Sequence, residues 1–235
     1  MAIPTPQLPL SLGLKDSTTF ENFHTGANPE ALAYLRALSA GTELPPAVYL
    51  WGESGTGKSH LLQALCHAAA ARHQPAFYLP LQAAAEFPLE ALHGLEQMQV
   101  ICLDDIQAIH REQEWNHALI GLFERLRSTR GALVVTGAGP ASELGLIPAL
   151  ASRLASGLSF HLHRLDPEQC AEALQLRAER RGMHLPGDSA RYLVRHRGAN
   201  PEQLFATLEI LDRASLAAKR RLTLPFVRGV LNPDD

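Results

Sequence analysis

The stretch Gly52-Glu53-Ser54-Gly55-Thr56-Gly57-Lys58-Ser59 matches the pattern G-x-x-x-x-G-K-[ST] at every fixed position. Its glycines let the backbone curl, so that successive N–H groups can point inward at phosphate oxygens. An apolar run at residues 47–51 precedes it as a predicted strand, and a helix is predicted from Ser59 to about Ala71. This strand–loop–helix context predicts a phosphate-binding loop.

A loop of this kind holds a nucleotide together with a metal ion. The Lys58 ammonium can reach the β- and γ-phosphates, and the Ser59 hydroxyl can bind Mg²⁺. The residues that we assign to the nucleotide here are Gly52, Ser54, Gly55, Thr56, Gly57, Lys58, Ser59 and His60.

A second apolar run, residues 100–103, ends in two carboxylates and predicts the other half of the site. Asp104 follows Lys58 by 46 residues, which leaves room for a helix, a strand and another helix. In a parallel sheet the carboxyl ends of strands share one edge. Asp104 is therefore expected to hold Mg²⁺, directly or through water, and Asp105 to orient or deprotonate an attacking water. The alternative is that the two acids only cap the next helix.

Thr136 ends another predicted strand, residues 132–136. Its hydroxyl could contact the γ-phosphate or the attacking water. A threonine that only caps the following loop fits the spacing equally well.

Five short apolar runs alternate with helix-like stretches, which predicts an α/β fold with a parallel sheet covered by helices on both faces. After residue 163 only helices are predicted, starting near residues 167, 188, 201 and 225. The expected domains are a flexible tail at 1–19, a nucleotide-binding domain at 20–163 and a small all-α domain at 164–235. The five runs are 47–51, 76–79, 100–103, 132–136 and 158–162.

Composition narrows the class of protein. The 235 residues are 46% hydrophobic and 19% charged, which is ordinary for a globular chain. The sequence has neither an apolar run long enough for a membrane span nor a secretory signal, so we expect a cytoplasmic protein without a membrane partner. The three cysteines form no CxxC pair and the histidines have no ligand spacing, so buried, reduced thiols are expected rather than zinc.

Net charge is −3, from 21 basic and 24 acidic residues, which argues against a general nucleic-acid coat protein. A local basic patch remains compatible with that value. The run Lys219-Arg220-Arg221 is interpreted as a solvated helix end, with a weak contact to a DNA backbone as the lesser alternative.

Together these elements resemble the AAA+ ATPases, and more narrowly their DnaA branch. Phe20-Glu21-Asn22-Phe23, followed by Gly26 and Asn28, is similar to the DnaA segment that contacts the nucleotide base, which implies that role for Phe23. Leu103-Asp104-Asp105-Ile106-Gln107 is similar to the DnaA form of the second nucleotide motif. The resemblance covers residues 20–231, as an ATPase core with a helical lid, and implies ADP or ATP with Mg²⁺ as the cofactor.

Within that branch, the chain resembles the regulatory inactivator of DnaA, the Hda family, in the stretches 211–216 and 222–227. The tail Gln7-Leu8-Pro9-Leu10-Ser11-Leu12 resembles the short peptide that binds the sliding clamp, the β subunit of DNA polymerase III. In that role Leu10 and Leu12 fill apolar pockets and the Gln7 amide makes polar contacts. The residues assigned to the clamp are Gln7, Leu8, Leu10 and Leu12.

The resemblance implies a negative regulator of replication initiation. The nucleotide-bound protein docks on DNA-loaded clamp and stimulates hydrolysis of ATP held by DnaA, so that its contact with DNA is indirect. Arg153 matches the family's arginine finger, a guanidinium that stabilises the transferring phosphoryl group in a neighbouring subunit. The alternative for Arg153 is a surface arginine paired with a carboxylate. Association of the chain with itself stays open.

One departure from the family concerns the lid. DnaA-type lids carry an arginine on the bound nucleotide, and Glu202 stands at the matching position unless Arg197 serves instead. Because a carboxylate repels phosphate, weak intrinsic ATPase activity is expected, and the main role is activation of DnaA. The alternative function is a helicase-loader-like ATPase acting on single-stranded DNA. A nucleotide-binding scaffold without either partner is a third.

Overall fold

A computed structural model of the chain describes residues 18–41, 47–129 and 131–231. The predicted clamp residues 7–12 lie outside this range. The described chain divides into two compact units, the first with residues 18–20 and 28–162 and the second with residues 21–27 and 163–231. The sequence predicts that residues 21–27 belong to the nucleotide-binding domain, but their contacts group them with the helical unit. One such contact joins the His24 ring to the Glu172 carboxylate at 2.9 Å.

The first unit contains a five-stranded, wholly parallel sheet with the order β2-β3-β4-β1-β5. This confirms the predicted α/β class. Every residue of β4, the central strand, and of its neighbour β3 is buried, as their largely apolar sequence requires. The strands are β1 (Ala47–Trp51), β2 (Ala76–Pro80), β3 (Val100–Asp104), β4 (Ala132–Gly137) and β5 (Leu158–His161).

Helices cover both faces of the sheet. Leu103 and Val135 pack in one core with α3 and α4, while the Cys102 thiol, on the opposite face, donates to the Leu62 carbonyl of α2. Alternate residues of a strand point to opposite faces, so both faces bury apolar side chains. The helices of this unit are α1 (Pro29–Ser39), α2 (Lys58–Ala70), α3 (Gln113–Leu126) and α4 (Pro148–Ser156).

The chain between β2 and β3 differs from the prediction. A second helix was expected there, but the structure has three short 3₁₀ segments, Leu81–Glu86, Leu89–Leu92 and Leu95–Gln97. Pro88 and Gly94 interrupt the alanine-rich sequence, because proline lacks an N–H and Gly94 takes φ +83°. Leu81, Leu92 and Leu95 nevertheless reach the core.

The second unit consists of four helices around a core of its own. The sequence marks their starts clearly. Asp166 forms a capping box with Gln169, and the Asn200 side chain accepts hydrogen bonds from two N–H groups of the following helix. The helices are α5 (Pro167–Arg180), α6 (Gly187–Arg197), α7 (Pro201–Ala218) and α8 (Leu224–Leu231). Of the helices in the described ranges, none combines the length and hydropathy needed to cross a bilayer.

Candidate nucleotide site

The predicted phosphate loop joins the end of β1 to the start of α2. Gly55 (φ +82°) and Gly57 (φ +91°) take left-handed conformations that other residues adopt only with strain, and Gly57 is the N-cap of α2. A Cβ on Gly52 would lie 2.4 Å from the Leu162 carbonyl oxygen, so a side chain does not fit there. The fixed glycines of the motif are thus explained by backbone geometry, and they leave the first N–H groups of α2 directed at the loop.

The lysine of the motif is buried against the loop, with 8% of its surface exposed. The Lys58 ammonium donates to the carbonyl oxygens of Gly52 at 2.7 Å and Glu53 at 2.8 Å. The Thr56 hydroxyl also donates to the Glu53 carbonyl, at 2.9 Å, and stiffens the turn. A cation held inside a curl of backbone amides is an arrangement that suits phosphate oxygens.

Four other residues assigned to the nucleotide occupy different positions. Ser59 is the second residue of α2, and Ser54 is exposed at the tip of the loop. The His60 ring donates to the Thr19 carbonyl at 2.8 Å, so it ties α2 to residue 19 of the same unit. Phe23 belongs to the helical unit and is half-buried.

The two carboxylates and the threonine predicted from the strand ends form one hydrogen-bonded group. Asp104 is 3% exposed, and its carboxylate accepts from the hydroxyls of Thr136 and, at 2.8 Å, Tyr78. The Thr136 hydroxyl accepts in turn from the Asp105 N–H at 2.9 Å. Thr136 therefore links the two aspartates rather than capping a loop.

Asp105 is held separately. Its backbone is left-handed (φ +60°), and its carboxylate accepts from the side-chain amides of Gln82 at 2.7 Å and Gln107 at 3.0 Å. The carboxylate makes no capping bond to the 3₁₀ segment that follows, so the alternative of a simple helix cap does not apply to it. The side-chain oxygen Oε1 of Gln107 accepts from the Ala138 N–H at 3.1 Å, which connects the Asp105 carboxylate to the end of β4.

Tyr78, Gln82 and Gln107 were missed by the sequence analysis. Burial raises the pKa of Tyr78, and the nearby Asp104 charge raises it further, so the phenol remains a neutral donor. Tyr78 lies in β2 and Gln82 follows that strand, so both approach the aspartates through the pairing of β2 with β3 rather than through a pattern along the chain.

The surroundings of the Asp104 carboxylate fit a hydrated magnesium ion. Each Asp104 oxygen accepts one hydrogen bond from a hydroxyl, which leaves lone pairs for metal-bound water. Mg²⁺ favours this kind of site, because it keeps several waters and uses few protein carboxylates. Within the described residues, no group of three or more His, Cys, Asp or Glu could hold a metal ion.

Arg153 lies at the opposite end of the sheet from the phosphate loop. It lines a cavity of about 280 Å³ together with Ala47 and Leu133, near the amino ends of β1 and β4. Four residue steps of β1 separate Ala47 from Trp51, or about 13 Å. The guanidinium is therefore distant from the phosphate loop of its own chain.

The Arg153 guanidinium is held by α3. Its Nε and Nη2 donate to one oxygen of Glu124, at 3.0 and 2.6 Å, and its Nη1 donates to the Ala149 carbonyl. These hydrogen bonds lower the pKa of Glu124. The ion-pair alternative for Arg153 is thus present, at a side chain that is one-third exposed and able to exchange partners.

The two candidates for the lid contact lie on different helices. Glu202 is the second residue of α7, where its N–H donates to the Asn200 side chain at 3.0 Å. Arg197 is the last residue of α6.

Comparison with known proteins agrees with this architecture. A family model described as the bacterial DnaA ATPase domain matches residues 14–161, and one described as the Hda lid domain matches residues 166–231. Domain III of the Thermotoga maritima replication initiation protein DnaA is similar in structure, with a TM-score of 0.79 and 19% identity over 94% of this chain and 98% of that one.

More distant folds are also similar. AMPPCP-bound DnaA from Aquifex aeolicus gives a TM-score of 0.71 at 21% identity, over 85% of this chain and 66% of that one. The Thermotoga maritima RuvB Holliday junction branch migration motor gives a TM-score of 0.65 at 16% identity, over 86% of this chain and 66% of that one. The chain belongs to the bacterial DnaA ATPase domain family, as a DnaA-related AAA+ protein with an Hda-type lid domain.

Proposed function

We propose that this protein is a negative regulator of replication initiation that carries ADP or ATP with Mg²⁺, docks on the polymerase sliding clamp and stimulates hydrolysis of ATP bound to DnaA. The observation that carries the proposal is the pairing of a DnaA-type ATPase domain with a lid of the Hda type in one chain. A lid of this type favours the regulator over the helicase-loader-like alternative.

The nucleotide part is supported by the geometry of the loop. Backbone amides, the Lys58 ammonium and the start of α2 converge on one point, and Asp104 and Ser59 supply oxygen ligands for the ion. When bound, Mg²⁺ neutralises phosphate charge. Thr136 holds Asp104 and the Asp105 backbone together, while Gln82 and Gln107 hold the Asp105 carboxylate in a fixed direction.

The position of Arg153 supports an action on another subunit. Because it lies near the amino ends of the strands, it does not serve the phosphate loop of its own chain. A partner that docks against α3 and α4 can offer a phosphate in place of Glu124. In that role the guanidinium stabilises the transferring phosphoryl group, an effect worth about 10³–10⁵ in rate.

The clamp is proposed from residues 7–12 and from the family, and DNA is reached through the clamp. The direct test mixes the purified protein with clamp, DNA and ATP-loaded DnaA, and follows phosphate release. Arg153→Ala is expected to abolish the stimulation. Arg127→Ala is the matched control, because Arg127 also pairs with Glu124 but is the C-cap residue of α3. If Arg153→Ala stimulates ATP hydrolysis by DnaA as strongly as the wild type does, Arg153 is not the arginine finger.

A second experiment separates the regulator from the helicase-loader-like alternative. Deletion of residues 1–14 is expected to abolish binding to immobilised clamp. If the wild-type protein does not bind the clamp and instead hydrolyses ATP on single-stranded DNA, the helicase-loader-like alternative is supported.

A further inference from the structure

The helical unit has a face in which basic residues are concentrated. Residues 189–201 and 213–231 together contain eight Arg or Lys and no Asp or Glu. We use "basic surface" for Arg195 of α6, the exposed cations of the α7–α8 connection and of α8, and two aromatic rings of α6. These residues are Arg195, Lys219, Arg220, Arg221, Arg228, Tyr192 and His196.

Side-chain contacts join the parts of the basic surface. The Arg228 guanidinium lies over the Tyr192 ring at 5.1 Å, and that ring meets the His196 ring with centroids 4.1 Å apart. The Arg220 guanidinium lies over the Phe226 ring of α8 at 5.2 Å. The α7–α8 connection is fixed to α6 by a 3.0 Å hydrogen bond from the Ser189 hydroxyl to the Leu222 carbonyl. The cations therefore stand on one continuous, rigid support.

Two exposed arginines elsewhere on this unit pair with carboxylates. Arg181 pairs with Glu209 and Asp212, each at 3.7 Å. Arg191, on α6 itself, pairs with Glu168 of α5 at 3.4 Å. By contrast, within residues 18–41, 47–129 and 131–231 no carboxylate pairs with the five cations of the basic surface. Asp234 and Asp235 follow in the sequence and lie outside those residues.

Helix dipoles alone account for part of this arrangement. Arg195 lies in the last turn of α6, Lys219 caps α7 and Arg228 lies in the last turn of α8, where a cation interacts favourably with the helix dipole. The dipole of α7 does not require three consecutive cations, nor does it exclude every acid from both segments. The excess points to a polyanionic partner.

The state of the rings indicates which polyanion fits. Single-stranded nucleic acids bind by stacking bases on free aromatic faces. The Tyr192 ring is already covered by Arg228 and adjoins His196, so it offers no free stacking face. Exposed arginine and lysine side chains grouped on joined elements suit the evenly spaced phosphates of a duplex. A chain with net charge −3 has little general attraction for DNA, so binding would have to come from this face.

We propose that the basic surface binds the phosphate backbone of double-stranded DNA directly and without sequence preference. This goes beyond the proposed function, in which DNA is reached only through the clamp. It assigns to Lys219-Arg220-Arg221 the DNA contact that was the lesser alternative from sequence. Such a contact would orient the helical unit on DNA that passes through a clamp.

The test uses the full chain alone, with neither clamp nor DnaA, so its failure leaves the hydrolysis assay untouched. Fluorescence anisotropy follows a labelled duplex of arbitrary sequence and about 25 base pairs, with a single strand of equal length as the second probe, at salt from about 50 to 200 mM. The wild type is expected to bind the duplex with a Kd on the order of 10⁻⁶–10⁻⁴ M, and this affinity is expected to fall steeply as the salt concentration rises. Preference for the single strand, or no binding to the duplex, overturns the proposal.

The variant Arg195→Gln/Lys219→Gln/Arg221→Gln removes three exposed cations of the basic surface. Its affinity is expected to fall at least about tenfold, and its salt slope to flatten by about 2–3, since each phosphate contact contributes about 0.9. The control changes net charge equally through three exposed arginines of the other unit, Arg72→Gln/Arg111→Gln/Arg127→Gln. It is expected to bind as the wild type does.

Melting temperatures complete the design. If these cations serve only the helix dipoles, the triple variant melts earlier and binds DNA as before, which refutes the proposal. Should the triple variant fold poorly, Arg195→Lys/Arg221→Lys keeps the charges and is expected to retain both the affinity and the salt slope. Loss of binding in that lysine variant contradicts a backbone contact made by charge.

Discussion

The hydroxyl of Thr136 offers the sharpest perturbation of the acidic part of the site. It donates to the Asp104 carboxylate and accepts from the Asp105 N–H, and Thr136 itself is fully buried. Thr136→Val keeps the shape and the β-branch that a strand favours, but removes both hydrogen bonds. Thr136→Ser is the matched control, because it keeps the hydroxyl and removes only a methyl group.

The expected loss of stability in Thr136→Val follows from the two hydrogen bonds that the Thr136 hydroxyl makes. A hydrogen bond to a charged acceptor contributes about 1.5–3 kcal/mol, and an amide left without a partner costs about 1–3 kcal/mol when buried. Asp105 is only half-buried, so the cost of leaving its amide without a partner lies near the lower limit of that range. The valine methyl recovers less than about 1 kcal/mol. The free energy of unfolding is therefore expected to fall by about 2–4 kcal/mol for Thr136→Val, against about 1 kcal/mol for Thr136→Ser.

Urea unfolding followed by tryptophan fluorescence is the assay. Both tryptophans of the chain, Trp51 and Trp115, belong to the sheet-containing unit, so the signal reports on the unit that carries the substitution. With an m-value of about 2 kcal/mol/M, the midpoint of Thr136→Val is expected about 1–2 M below that of the wild type. A valine variant within about 0.5 kcal/mol of the serine variant refutes the linking role of this hydroxyl.

Three further outcomes are expected. Tyr78→Phe leaves one Asp104 oxygen without its 2.8 Å donor, so the free energy of unfolding is expected to fall by about 1–3 kcal/mol. The magnesium dependence of nucleotide binding is expected to weaken as well. If neither value changes, the proposal that Tyr78 positions Asp104 is contradicted. Asp166→Ala removes the capping box and is expected to cost about 0.5–2 kcal/mol in the melting of the helical unit, whereas Asp166→Asn retains most of it. Thiol reagents at pH 8 are expected to react slowly with the folded protein and to label three thiols per chain in the urea-unfolded protein. Rapid labelling of the folded protein contradicts the burial of Cys66, Cys102 and Cys170.

The sheet and the phosphate loop were predictable because each depends on local sequence. Short apolar runs with no helical period specify buried parallel strands, and the loop glycines follow from backbone sterics. The 3₁₀ segments between β2 and β3 were not foreseen, because the alanine-rich stretch favours a helix and only Pro88 and Gly94 oppose it. Local preference there gives way to packing of leucines on the core.

The hydrogen-bonded surroundings of the two aspartates could not be read from spacing. Tyr78 and Gln82 approach Asp104 and Asp105 only because β2 pairs with β3 in a particular register. The same holds for Arg153, whose partner Glu124 is 29 residues away and meets it through the packing of α3 against α4. Pairs of this kind depend on tertiary structure rather than on any pattern along the chain.

The most direct test of the central claim is calorimetric titration of the purified protein with ADP and with ATP in the presence of Mg²⁺. The wild type is expected to bind at a single site. Lys58→Ala is expected to lose most of that affinity, because it removes the only side-chain cation that the described part of the loop contributes. Absence of binding by the folded wild type at millimolar nucleotide contradicts the assignment of residues 52–59 as a nucleotide site.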